Sequence, residues 1–254
     1  MPRSPRPLDA SRRTLLQLGP AALLGLLHTR RALAAPGHTA ALEGLQAMGE
    51  LALALRRGEL EPVAWQDEMA RAVATIDVDE VIAAIDLDRL VAAQDPLPDD
   101  GPRVQPLELA ALESVLTEAG ARLKLFALAP GRAIVPHGHH GLVSMHWVLR
   151  GALHGRSFDR IERTKTHVVM RPTLDRVLRP GAATSVSEHR DNIHWFVAVD
   201  GPAFALDVLV PGLGPAGPHG RFYVDVRAAE PAGDDRLRAP IISGREARRR
   251  YGHG

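Results

Sequence analysis

A chain of 254 residues that is 45% hydrophobic and 24% charged can bury one substantial core, which excludes a disordered or fibrous protein. Lys and Arg (31) nearly balance Asp and Glu (30), and the arginines are scattered among acids, so no nucleic-acid partner is expected. Cysteine is absent, which excludes disulfides, thiolate metal sites and a cysteine nucleophile; any metal must sit on nitrogen and oxygen ligands.

In chain order, Ser11-Arg12-Arg13-Thr14-Leu15-Leu16 precedes an apolar stretch from Leu18 to Leu27 and the small-x-small pattern Ala32-Leu33-Ala34. Residues 1–34 resemble a twin-arginine signal peptide, with Leu15 and Gln17 where that signal usually has Phe and Lys. The resemblance implies cleavage after Ala34, the twin-arginine export machinery as a partner, and a periplasmic or otherwise exported destination. No later stretch has roughly 18 consecutive apolar residues, so no stable membrane span is expected after cleavage.

Residues 35–119 are expected to form a helical N-terminal segment. Leu42, Leu45, Met48, Leu51 and Leu55 make one helical stripe, and Val73, Ile76, Val81, Ile82 and Ile85 continue the pattern. Three helices are predicted between Thr39 and Val91, with Pro62 in the first turn of the second. A loop is predicted from Asp95 to Pro102, then a helix from Pro106 to Ala119 ended by Gly120.

From residue 120 to 254 the pattern changes to short apolar runs broken by Gly, Pro and Asp. Strands are predicted over Leu123 to Ala127, Ala133 to Val135, Val143 to Leu149, Gly155 to Glu162, His167 to Met170, Ala183 to Val186, Ile193 to Val199 and Ala203 to Val210. Gly151, Gly155, Pro180-Gly181 and Gly201-Pro202 are expected to supply turns. Such a series indicates an all-β sandwich or barrel with a C-terminal tail.

The chemistry concentrates in this region. Gly131, His137-Gly138-His139, Ser144 and Gly151 have the order and spacing of the first cupin motif, with Ser144 at the glutamate position. Residues i and i+2 of a strand share a face, so His137 and His139 can present two imidazoles to one metal. A downstream strand must give the third ligand. His194, on one strand face with Phe196 and Ala198, is the best candidate. His140 points to the opposite face, His146 and His189 are read as hydrogen-bonding or surface groups, and Trp147 and Trp195 as core. This pattern resembles a cupin double-stranded β-helix, a jelly-roll barrel preceded by helices.

Downstream, His189-Arg190-Asp191-Asn192-Ile193-His194, Ala198-Val199-Asp200-Gly201-Pro202-Ala203 and Leu206-Asp207-Val208-Leu209-Val210-Pro211 resemble the cysteamine dioxygenase and plant cysteine oxidase family of cupin thiol dioxygenases. The resemblance runs from about Leu123 to Val226. It implies Fe(2+) on His137, His139 and His194 with no carboxylate ligand, and Asp207 near the site in a catalytic role. Read alone, Asp207 could instead cap a strand turn or pair with Arg190. The implied reaction adds O2 to a small thiol or N-terminal cysteine to give a sulfinic acid. Three neutral ligands leave a ferrous site near +2, which favours an anionic thiolate. Two departures bear on substrate. Leu213 stands where the family has a tyrosine, and Gly220-Arg221-Phe222-Tyr223 lacks the cysteine of a cysteine–tyrosine crosslink. Leu213, Tyr223 and Phe196 are the substrate-pocket candidates. A metal cupin with a non-thiol activity, and a non-catalytic ligand-binding cupin, are the alternatives.

Overall fold

The computed structural model describes residues 40–214 and 220–253; the predicted signal peptide lies outside the described residues. Among the described residues, no helix is long and apolar enough to cross a membrane. The chain opens with α1 (Ala40–Arg56), α2 (Pro62–Ala74), α3 (Val78–Ala84) and α4 (Leu87–Ala92), four helices where three are predicted. Pro62 does open α2. The extra break falls at Ile85, which caps α3, and at Asp86, which adopts a left-handed φ of 52°. The apolar stripe runs on through this break, so periodicity alone cannot show it.

A short strand, β1 (Arg103–Pro106), follows, so the sheet begins inside the segment expected to be helical. The helix predicted from Pro106 is only α5 (Glu113–Ala119), ended at Gly120 in the left-handed region (φ 60°) as its sequence requires. Then come β2 (Arg122–Leu128), β3 (Ala133–His140), β4 (Leu142–Arg163), β5 (His167–Leu178), β6 (Ala183–Val186), β7 (Ile193–Pro211), β8 (Gly220–Val224), β9 (Glu230–Pro231) and β10 (Leu237–Ile242). The C-terminal tail carries a last helix, α6 (Gly244–Tyr251), whose Ser243 side chain caps the N–H of Glu246.

All pairings are antiparallel, and the long strands β4 and β7 each serve two sets of neighbours. The first half of β7 pairs with β3 on one side and with the second half of β4 on the other. β3 then pairs with β8, β8 with β10, β10 with β5 and β5 with β4, which closes the circuit into a barrel. The second half of β7 lies between β2 and the first half of β4, with β1 and β6 at the margins. The fold is a cupin-type antiparallel barrel with N-terminal helices.

Gly151, Gly155 and Gly201-Pro202 are not turns but positions inside β4 and β7. Gly151 instead marks a bulge, because the register of β4 on β7 shifts on either side of Arg150. Its φ is +75°, and a Cβ there would collide with the carbonyl oxygen of Pro202. Pro180-Gly181 does turn the chain as predicted, with Gly181 at φ +88°.

The helices pack on one face of the β2, β7 and β4 sheet. Leu123 and Leu125 of β2, Val143, Met145 and Trp147 of β4, and Leu206 and Val208 of β7 join Leu45, Met48, Trp65 and Met69 in one buried core. Burying each such side chain contributes about 1.5–3 kcal/mol. With these odd or even positions committed to the helices, the alternate residues of the same strands must face the barrel interior.

Candidate metal centre

His137 and His139 leave β3 on one face, and the barrel circuit brings His194 of β7 directly opposite His137. One ring nitrogen from each histidine lies within 4.8 Å of the other two, and all three residues are buried. Ring centroids are 4.3 Å apart for His137 and His194, 4.6 Å for His137 and His139, and 5.3 Å for His139 and His194. Gly138 between the two ligands points outward under the ring of Phe222. Asn192 donates to the carbonyls of His139 and Ser187, both at 2.8 Å, and so ties the end of β3 to the turn before β7.

The electrostatics keep all three imidazoles neutral. Burial pushes His137 down to about 3, with the Arg221 charge adding to it. Burial, then the neighbouring histidines, holds His139 and His194 well below 6.5. The Nδ1–H of His137 donates to the carbonyl of Val135 at 2.7 Å, which leaves Nε2 as the lone-pair nitrogen. Nδ1 of His194 is buried without a hydrogen-bond partner. Three neutral imidazoles crowded in a buried site, with an unmatched polar atom, fit a divalent metal.

A second wall of the site comes from β2, β4 and β7. The register sets Lys124 beside Asp207 and Asp207 beside His146, and one rung away sets Arg122 beside Leu209 and Leu209 beside Ser144. Ser144, at the cupin glutamate position, supplies no carboxylate; its hydroxyl donates to Asp207 Oδ1. Asp207 also lies 3.8 Å from His146 Nε2 and 3.9 Å from Lys124 Nζ. His146 is buried with its ring 5.1 Å from that of His194, and burial lowers its pKa. Together these residues, with Tyr223 and Arg221, line a cavity of about 440 Å³.

Of the other expectations, Asp207 does not pair with Arg190, which binds Asp67 on the helical side instead. Tyr223 lines the cavity opposite His137, with ring centroids 6.2 Å apart. Phe196 does not line it; its ring backs His194 and His146 from the core. Leu213 is also absent from the cavity lining and packs against the helical core. Trp147 is fully buried beneath the helices, and Trp195 packs on Tyr251 of α6. His140 lies over Gly220. Lys124 and Arg122 had no motif to mark them. The alternation Arg122-Leu123-Lys124-Leu125-Phe126 reads as a strand with a solvated face, whereas here the polar face lines the site.

The sequence profile of the PCO_ADO family matches residues 105–242. Among curated proteins, 2-aminoethanethiol dioxygenase of Mus musculus is 30% identical over 158 residues, covering 54% of this chain and 59% of that protein. 2-Aminoethanethiol dioxygenase of Homo sapiens is 29% identical over 120 residues, covering 38% of this chain and 44% of the relative. The chain thus spans less than two thirds of either relative. Among solved structures, recombinant oxalate oxidase in complex with glycolate is similar at 18% identity and a TM-score of 0.36, over 50% of this chain and 57% of that one. KdgF from Halomonas sp. is similar at 20% identity and a TM-score of 0.28, over 36% and 68%. Because the family match runs over more than half of the chain and contains all three clustered histidines, the chain belongs to the PCO_ADO family.

Proposed function

We propose that this protein is an iron(II)-dependent thiol dioxygenase that converts a small thiol or N-terminal cysteine and O2 into a sulfinic acid. The observation that carries this reading is the buried centre of three neutral histidines with Ser144, not a carboxylate, at the cupin glutamate position. The names of the mouse and human relatives support it. Iron(II) held by His137, His139 and His194 would supply open coordination positions and the redox chemistry that joins O2 to sulfur. The overall change is balanced as thiol plus O2 giving sulfinic acid, with no outside reductant.

The chain's own residues prepare the substrate. Three uncharged ligands leave the centre strongly positive, so a thiol is taken as its thiolate. Asp207 is the catalytic candidate: its carboxylate, fixed by Ser144, His146 and Lys124, can relay the proton that the thiol gives up. The burial of His194 and Phe196 keeps bulk water from the back of the site. The test is metal analysis of the purified protein followed by O2 uptake across amine thiols, cysteine and N-terminal-cysteine peptides. Thiol-dependent uptake with two oxygens added to sulfur is expected; none across the panel sinks the reading.

The same reading includes export by the twin-arginine route, supported by Arg12-Arg13, the apolar run and Ala32-Leu33-Ala34. Arg12→Lys with Arg13→Lys should leave the precursor in the cytoplasm. Normal processing of that double variant would point to the general secretory route.

A further inference from the structure

We propose that the substrate of this centre carries a carboxylate: the cavity is built for an anionic thiol rather than for an aminothiol. The proposal rests on the thiol dioxygenase reading and adds the substrate's charge. Four cationic side chains line the cavity, Arg122, Lys124, Arg221 and Arg248, against one carboxylate, Asp207. The register fixes one beside a metal ligand and one beside the carboxylate. Arg221 on β8 lies opposite His139, and Lys124 on β2 lies opposite Asp207.

The single acid is not free to receive an ammonium group. The Asp207 side chain is 3% exposed, and its oxygens already face the Ser144 hydroxyl, His146 and Lys124. The three arginines are the unmatched partners. Among the described residues, Arg122, Arg221 and Arg248 form no ion pair with any carboxylate. Burial disfavours the charge on Lys124, Asp207 opposes that, and the like charges of Arg122 and Arg221 add to the lowering. Arg122, Arg221 and Arg248 are exposed at the rim of the cavity, and cations gathered there without counter-charges raise the local potential and draw in an anion. An arginine can also hold a carboxylate through two parallel hydrogen bonds. An aminothiol would meet the same field as repulsion.

The experiment compares mercaptopropionate with cysteamine, thiols of similar length and opposite charge, on the iron-loaded enzyme. The carboxylate thiol should show at least about tenfold higher kcat/KM, and that advantage should shrink as salt is raised. Arg221→Met and Arg122→Met should each raise its KM about tenfold and should improve the KM for cysteamine. A structural role alone would not move the two substrates in opposite directions. A preference for cysteamine, or equal use of both without salt dependence, overturns the proposal and leaves the thiol dioxygenase reading in place. If no thiol is consumed, that reading fails, and anaerobic titration of cobalt(II)-loaded protein, read by thiolate-to-cobalt absorption, decides the charge preference separately. Tighter binding of mercaptopropionate than of cysteamine there supports the anionic site, and equal or weaker binding overturns it.

Discussion

Gly138 is the position at which fold and metal site depend most directly on each other. A Cβ added there would lie 2.6 Å from Cε1 of Phe222 and 2.9 Å from Oδ1 of Asn192, both inside contact distance. Neither neighbour can withdraw freely. Phe222 is packed in a cluster with Phe158, Ile193 and Val224 and carries the Arg163 guanidinium 4.8 Å above its ring. Asn192 is fixed by its two 2.8 Å hydrogen bonds, one of them to the carbonyl of His139. Gly138→Ala must therefore move either the ring or the strand that carries two ligands. Overpacking of this kind costs about 1–3 kcal/mol. For a folded unit of this size, about 2 kcal/mol lowers Tm by about 4–8 °C. Thermal unfolding and metal content of the purified variant measure the two effects together. Phe222→Leu should relieve the clash, so the double variant should be more stable than the sum of the single changes, with a coupling of at least about 1 kcal/mol. A Gly138→Ala protein with unchanged Tm and full metal, or strict additivity in the cycle, would refute the packing argument.

Other expectations follow from the site and its supports. His194→Ala removes one of the three ligands and should lose most bound metal while the barrel still folds, as read by metal analysis and circular dichroism; full occupancy would shift the third-ligand role to His146 or His189. The metal-free protein should lose stability as pH falls below 6.5, because the buried histidines stay neutral when folded but take protons when unfolded. His137, with a folded value of about 3, contributes its full share above pH 6.5 and loses about 2 kcal/mol of it by pH 5. Denaturant midpoints of the metal-free protein that do not change between pH 7.5 and 5 would contradict this. Tyr251→Phe takes a hydroxyl from the buried Asp225 and from the N–H of Arg227, and should cost about 1–2 kcal/mol in urea unfolding without changing metal content.

The ligand set was legible because its pattern is local: two histidines two apart on a strand, and a third flanked by apolar residues. The length of the strands was not. Gly151, Gly155 and Gly201 carry the composition of turns, yet β4 and β7 run through them because the barrel needs long strands that bend from one set of partners to another. The break at Asp86 was hidden for the opposite reason, since an unbroken apolar stripe crosses a left-handed residue. Leu213 illustrates a limit of motif alignment. Its place at a family tyrosine position points to the substrate, but the chain after β7 directs it toward the helical core.

The second wall shows why the remaining site residues could not be read. Alternation in a strand identifies two faces but not which of them is wet. In β2 and in the first half of β4, Leu123, Leu125, Met145 and Trp147 meet the N-terminal helices, so their polar alternates are turned inward to the three-histidine centre. Without those helices, the apolar residues would claim the barrel interior, and Lys124, Ser144, His146 and Asp207 would face solvent. The helical segment thus helps to specify the chemistry from outside the barrel. By covering one face of the sheet, it allows Lys124, Ser144, His146 and Asp207 to line the interior, where the one carboxylate is held by its neighbours while three arginines stand at the exposed rim without a carboxylate partner.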